Sequence, residues 1–199
     1  MRHGMSTPWN EPFERFGALF ERAKQRQPKD PNAMSLATVD PHGRPSVRVV
    51  LLKDFDSKGF VFYTNQSSRK GHELIGQRVA ALMFYWPSLE EQVRIEGGVE
   101  QVSAADSDAY FSTRARSAQL GAWASHQSEP MASRAELEAR LAELKRKYEG
   151  QAVPRPPHWG GFRLLPERIE FWRAHPDRLH WREQYSKSAE GWAKSTLNP

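Results

Sequence analysis

There is no cysteine in this chain of 199 residues. That absence excludes a disulfide framework, a thiolate metal site and a cysteine nucleophile. It also suits a reducing compartment, and a cytoplasmic location is expected. Long apolar runs are missing too. The longest, Val79 to Trp86, is far short of the roughly 20 residues that a membrane-spanning helix needs. The opening stretch MRHGMSTPWNEPFERF has no apolar h-region, so no secretory leader is expected. The seven histidines lie far apart, without ligand spacing, and no metal site is expected. Rossmann, P-loop and nucleophile-elbow glycine motifs are absent, which argues against those dehydrogenase, NTPase and hydrolase chemistries. The chain is basic, with net charge +5 and pI near 9.6. It contains no run of five or six like charges, because Lys and Arg are scattered among Asp and Glu. Such scatter favours local anion sites over a nucleic-acid face, and neither nucleic acid nor membrane is expected as a partner.

What is present reads as one soluble domain, 38% apolar and 27% charged. Phe13, Phe16, Leu19 and Phe20 fall at helical spacing within 11–26. MSLATVD (34–40) and SVRVVLLK (46–53) flank a Pro/Gly turn and predict a hairpin. FDSKG reads as a turn before the strand FVFYT (60–64). SSRKGHELIG (67–76) predicts a serine-capped helix, and RVAALMFYW and EQVRIEGGVEQV predict two strands. A helix opens at Ser103 and runs through Tyr110, and QLGAWAS continues the helical part. The segment 133–150 carries a capping box, Ser133 with Glu136, and a Gly150 stop, with a narrow leucine stripe that places it on the surface. GGFRLLPERIEFWR predicts a strand, a proline turn and a strand, RLHWREQY a last strand, and the rest a tail. Roughly six or seven strands with interspersed helices predict an α+β fold around a small antiparallel barrel.

Four segments carry chemistry. In 48–53, strand alternation puts Arg48 on one face with Val50 and Leu52, and Lys53 on the other. A cation among apolar neighbours calls for an anion, although taken alone these two are equally solvated strand-end charges. Tyr63 and Thr64 lead into Ser67, Ser68, Arg69 and Lys70 at a helix N-terminus, where free N–H groups and the dipole favour a phosphate. The plain alternative there is a capped helix with surface charges. Tyr110 and Arg114, four apart on a helix, share a face and can grip one anion or simply pair with each other. Finally, period two puts Arg178, His180 and Arg182 on one strand face, and three cations side by side call for an anionic or electron-rich partner.

Taken together and in order, the segments RVVLLK, FYTNQSSRKGHEL, EQVRIEG, YFSTRARSAQLGAWASHQS, WGGFR and EFW…RLH…R, from about Ala33 to Pro199, resemble the pyridoxamine 5'-phosphate oxidase family. The resemblance implies an FMN-binding split β-barrel over 33–199, preceded by a helical extension over 1–32, and a homodimer with FMN at the subunit interface. It implies FMN contacts from Arg48, Val49, Val50, Leu51, Leu52, Lys53, Tyr63, Thr64, Arg69, Lys70, Gln92, Gln127, Ser128, Trp172 and Arg182. Lys53, Tyr110, Arg114 and position 118 would hold the substrate phosphate, and Arg178 and His180 would lie over the substrate ring as catalytic residues. The implied activity is oxidation of pyridoxamine or pyridoxine 5'-phosphate to pyridoxal 5'-phosphate, with O2 as acceptor and H2O2 as product. The chain departs from the family pattern at Ala118, where a serine is usual, and at Trp181, where an acidic residue is usual. The N-terminal Arg-Glu-Tyr lid segment found in some members is also missing from this sequence. The alternatives are a sister oxidase on another ring system, of the phenazine-biosynthesis type, a non-catalytic FMN-binding protein, and, more remotely, a nucleic-acid binder. Arg178 and His180 speak against a mere carrier.

Overall fold

The computed structural model describes residues 10–199. Residues 1–9, which hold much of the stretch read for a leader and the start of the 1–32 extension, lie outside the described residues. Helix α1, Glu11–Arg26, has Pro12 in its first turn, with acidic residues at the start and basic ones at the end, as the helix dipole favours. Its buried face is the one the spacing predicts: Phe13, Phe16, Leu19 and Phe20, with Ala23.

Strands β1 (Ala33–Val39) and β2 (Pro45–Leu51) form the expected hairpin. Its turn is held by the Asp40 carboxylate, which accepts from the N–H groups of His42 and Arg44. After it come β3 (Asp54–Asp56), β4 (Gly59–Asn65), helix α2 (Arg69–Gln77), β5 (Val79–Trp86) and β6 (Glu91–Gln101). Three helices form the next part of the chain: α3 (Ala104–Ser112), α4 (Arg116–Ala124) and α5 (Arg134–Lys147). The chain ends in β7 (Trp159–Arg173), β8 (Trp181–Ser188) and β9 (Gly191–Thr196).

All nine strands join one antiparallel sheet in the order β2-β1-β5-β6-β7-β4-β3, with β8 branching from β7 and carrying β9. The branch is the split in the barrel. The first part of β7 pairs with β4, and its last part pairs with β8. The Lys53 N–H donates to the Val61 carbonyl at 2.9 Å and joins the end of β2 to β4. Helix α1 packs into this curled sheet. Phe16, fully buried, meets Phe55 and Phe60 edge-on at 4.9 Å and Phe84 at 5.1 Å. A second cluster, Phe111, Leu120, Tyr148, Val153 and Trp159, lies beneath α3, α4 and α5.

The structure corrects four local readings. FDSKG contributes a strand as well as a turn, because Asp54–Asp56 pairs with Gly59–Val61. The tail is β9, paired with β8, so there are nine strands among the described residues. Pro166 makes no turn. β7 runs straight through it at a register shift opposite Glu96 and Gly97. A bulge accommodates a proline that has no N–H to give, and Gly97 accommodates the close backbone approach, since a Cβ there would sit 2.1 Å from the Leu165 carbonyl oxygen. Finally, RLHWREQY is a strand only from Trp181. Pro176–Arg178 forms a short 3-10 turn, with Asp177 and Arg178 at positive φ. Arg178 and His180 therefore sit in a loop and share no strand face with Arg182.

Candidate active site

The N-terminus of α2 is built as its sequence predicts. The Ser68 hydroxyl caps it by accepting from the Gly71 N–H, and itself donates to the Asn65 carbonyl at 2.6 Å. Lys70 is buried beside this cap. Its Nζ donates to Ser68 Oγ at 3.0 Å and to Gln127 Oε1 at 2.7 Å, and no carboxylate among the described residues meets it. Burial, aided by the charge of Arg48, lowers its pKa to about 8.

Lys70 opens into a cavity of about 520 Å³. The end of β2 supplies Val49, Val50, Leu51 and, just beyond it, Lys53, while β4 supplies Tyr63 and Thr64. Tyr110, Arg114 and Ala118 come from the α3–α4 region, and Gln127 comes from the loop after α4. One wall is aromatic: Tyr63 stacks on Tyr110 at 4.2 Å and on Trp159 at 5.3 Å. Burial, then Asp106 and Tyr110, raise the Tyr63 phenol above its ordinary pKa. Gly161 makes the stack possible, since a Cβ there would lie 2.6 Å from the Tyr63 ring.

Arg114 differs from its sequence reading. Helix α3 ends at Ser112, so Arg114 belongs to the turn before α4 and does not share a helix face with Tyr110. The turn aims its guanidinium over Trp159 at 4.7 Å. Its Nη1 is buried with no hydrogen-bond partner among the described residues, and burial lowers the guanidinium's pKa. A desolvated cation with a free donor facing a cavity is a ready anion site.

Not every expected residue lines this cavity. Arg48 lies on the core-facing side of β2, as alternation predicts. Its guanidinium is taken up by the Leu36 carbonyl, Thr38, Ser46 and Glu73. Arg69 donates to Glu73 at 2.8 Å. Leu52 is in the core, and Ser128 takes a left-handed turn next to Gln127. Gln92, Trp172 and Arg182 sit directly opposite one another across β6, β7 and β8, toward the other end of β7 from Trp159. Arg182 is paired with Glu170 at 2.8 Å. His180 packs on Trp172 at 4.7 Å between ring centres, with Arg178 two residues before it in the loop. The candidate residues thus form two groups on one chain: a cavity lined by the cations Lys53, Lys70 and Arg114, and a Trp172–His180 group remote from it along the strand.

Sequence reading missed two participants. Trp159 is the floor of the aromatic wall, and its only signal was membership in WGGFR. Glu73 organises both Arg48 and Arg69; its only signal was its position four residues after Arg69. Among the described residues no cluster of metal-binding side chains occurs, and no helix is long and apolar enough to cross a membrane.

Comparison with known proteins adds a separate line of observation. The family model described as "Pyridoxamine 5'-phosphate oxidase" matches residues 20–148, and that described as "Pyridoxine 5'-phosphate oxidase C-terminal dimerisation region" matches 159–199. A pyridoxine/pyridoxamine 5'-phosphate oxidase of Myxococcus xanthus is 59% identical, covering 100% of this chain and 96% of its own length. One from Rubrobacter xylanophilus is 56% identical, covering 95% and 87%. The crystal structure of PhzG from Burkholderia lata, in complex with tetrahydrophenazine-1-carboxylic acid, superposes with a TM-score of 0.90 at 32% identity, covering 99% of this chain and 98% of that one. A pyridoxamine 5'-phosphate oxidase-related, FMN binding protein from Nostoc punctiforme shares the fold, with a TM-score of 0.75 at 20% identity over 98% and 100% of the two chains.

Proposed function

This chain belongs to the pyridoxamine 5'-phosphate oxidase family, and from that premise we infer that it oxidises pyridoxine or pyridoxamine 5'-phosphate to pyridoxal 5'-phosphate with FMN as cofactor. The observation that carries the reading is Arg114, a half-buried side chain with one shielded, unpartnered guanidinium nitrogen among the described residues, lining the same cavity as the buried ammonium of Lys70. Two phosphorylated ligands need two such positions. The donor set fits FMN: Lys70 and the α2 N-terminus suit its phosphate, Thr64 and Gln127 its ribityl hydroxyls, and the apolar edge of β2 its ring. When bound, FMN supplies a two-electron acceptor for the hydrogen leaving substrate C4', with O2 as the final acceptor.

The roles of the protein's own residues follow. Arg114 and Lys53 hold the substrate phosphate, and the Tyr63–Tyr110–Trp159 wall shields it from water. Arg178 steers the ring, and His180 orients it and handles a proton. Its Nδ1 accepts from the His175 N–H at 3.3 Å, which leaves the proton of a neutral ring on Nε2.

The remote Trp172–His180 group requires a second chain. Edge strand β2 leaves Val47 and Val49 69% and 67% exposed, with Leu51 beside them. By cross-strand register, Met83, Tyr85, Gln92, Trp172 and Arg182 belong to this same sheet face. Two copies paired across it by a two-fold axis would bring the Trp172–His180 group of one to the cavity of the other. A homodimer with composite sites is the arrangement this supports.

Oxygen uptake by the FMN-loaded protein tests the reading. Pyridoxamine 5'-phosphate should be consumed with release of pyridoxal 5'-phosphate, ammonia and H2O2. Turnover of a tetrahydrophenazine carboxylate, with none of pyridoxamine 5'-phosphate, would transfer the chain to the sister activity.

A further inference from the structure

The connection from β7 to β8, residues 174–180, carries both Arg178 and His180 and works against the preferences of its own backbone. Asp177 and Arg178 follow one another at φ 62 and φ 60. Non-glycine residues enter the left-handed region at a free-energy cost, and a consecutive pair persists only where its surroundings over-determine it. Arg178 and Leu179 are exposed, and the loop buries no side chain of its own. Core packing therefore does not hold it.

The restraint lies at the mouth of the loop. Arg173, the last residue of β7, and Trp181, the first of β8, are cross-strand partners. The Arg173 guanidinium lies 4.1 Å from the Trp181 ring centre, and the His175 imidazole meets the ring nearly edge-on at 4.3 Å and 80°. Trp181 is nonetheless 47% exposed. Burial does not account for so large an apolar ring at this position, whereas the two contacts it makes do. The chain continues inward from His175. Its neighbour Ala174 is pinned by an N–H bond to the Glu90 carbonyl at 3.0 Å, and its own N–H donates to His180 Nδ1 at 3.3 Å. The His180 ring in turn rests on Trp172. An unbroken series of contacts thus runs from an exposed tryptophan to the imidazole assigned above to the substrate.

We propose that Trp181 is a positioning residue for the oxidation: in contact with both Arg173 and His175, it fixes the 174–180 loop so that Arg178 and His180 are presented in one geometry. The proposal rests on the functional reading above for the roles of those two residues, but not for the contacts themselves. Removing the ring frees His175, releases the bond to His180 and lets Asp177 and Arg178 relax out of the left-handed region. The loss falls on kcat, because Trp181 touches neither the cavity residues nor the FMN phosphate cradle.

The test compares the FMN-loaded wild type with Trp181→Ala and Trp181→Phe. Trp181→Ala should lower kcat for pyridoxamine 5'-phosphate by about tenfold or more, with FMN retention, read by flavin fluorescence, unchanged. Trp181→Phe, which keeps a ring within reach of Arg173 and His175, should recover most of the loss. A second readout does not depend on turnover. The Cε1–H resonance of His180, identified by its disappearance in His180→Gln, is displaced by the ring current of Trp172. It should move toward the free-histidine position in Trp181→Ala and stay in place in Trp181→Phe. An unchanged kcat in Trp181→Ala overturns the proposal. So does a lowered kcat with an unmoved His180 resonance, because the effect would then bypass positioning. If Trp181→Ala also loses FMN or melts early, Trp181→Phe decides: recovery supports the proposal, and a variant as poor as alanine overturns it. Wild type inactive on pyridoxamine 5'-phosphate would refute the functional reading, and the His180 resonance would still decide the role of Trp181.

Discussion

Lys70 is a cation that the fold removes from water, and Arg114 one that it half buries, and among the described residues neither is given a carboxylate. Each is costly in the ligand-free protein, and the phosphate proposed for each would offset the cost. Lys70 makes this measurable. Its pKa of about 8 lies below the ordinary 10.5, so between these values the unfolded chain holds a proton that the folded chain has released. Stability from this group therefore rises with pH across that window. FMN binding moves the opposite way, because the charge that attracts the phosphate is lost above pH 8. We predict that FMN affinity, titrated by quenching of flavin fluorescence, falls from pH 7 to pH 9.5 by up to about tenfold per pH unit beyond 8. Lys70→Met should bind more weakly at pH 7 and show a flatter profile. An equal pH slope in the variant would assign the dependence to another group. Sequence reading singled out both cations, from a capped helix start and a Tyr/Arg spacing. It misjudged how Arg114 reaches the site, because i,i+4 logic applies only within a helix, and α3 ends two residues before it.

Among the elements, α2 depends most on one buried side chain. Glu73 accepts from Ser46 at 2.7 Å, from Arg69 at 2.8 Å and from Arg48 at 3.3 Å, and also from the Thr38 hydroxyl, so one carboxylate fastens the helix to the β1–β2 hairpin. Burial alone would raise its pKa, but the hydroxyls of Thr38 and Ser46 and the guanidinium of Arg69 outweigh it and hold it at about 2. A depressed carboxylate contributes stability that is complete above its ordinary pKa of 4.5 and is lost as pH falls toward 2. Glu73→Gln should therefore cost about 2 kcal/mol in urea denaturation at pH 7, the scale of hydrogen bonds to a charged group. The deficit should narrow at pH 3. A deficit that is constant with pH would mean that packing, not charge, holds the helix. Helix starts were legible because caps are local: Ser68, Ser103 and Ser133 all accept the N–H bonds their spacing predicts. Pro166 was misread because its tolerance depends on Gly97, far away in sequence, which makes room for a bulge. The strand expected at Arg178 failed because alternation describes what a strand would look like and does not establish that a partner extends that far; β7 ends opposite Trp181.

At the scale of the whole molecule, an exposed apolar strip on an edge strand and a divided set of site residues point to the same pairing. Val49→Asp should leave the single-chain fold intact, since the residue is 67% exposed there, yet sediment as a monomer and retain little FMN. A Val49→Asp protein that remains a fully flavin-loaded dimer would place the interface elsewhere. The order of motifs, the helix caps, the alternation in the hairpin and the residue types of the two proposed anion sites were determined by the sequence itself, because each is a property of neighbours along the chain. Several features were decided only by the tertiary structure. These are the sharing of β7 between two branches, the seating of Phe16 inside the barrel, and the capture of Arg48 and Arg69 by Glu73. The separation of Trp172 and His180 from the cavity belongs with them. Each depends on which distant segments occupy the same space, and pairing energy between strands is specified by register and packing that no local window contains.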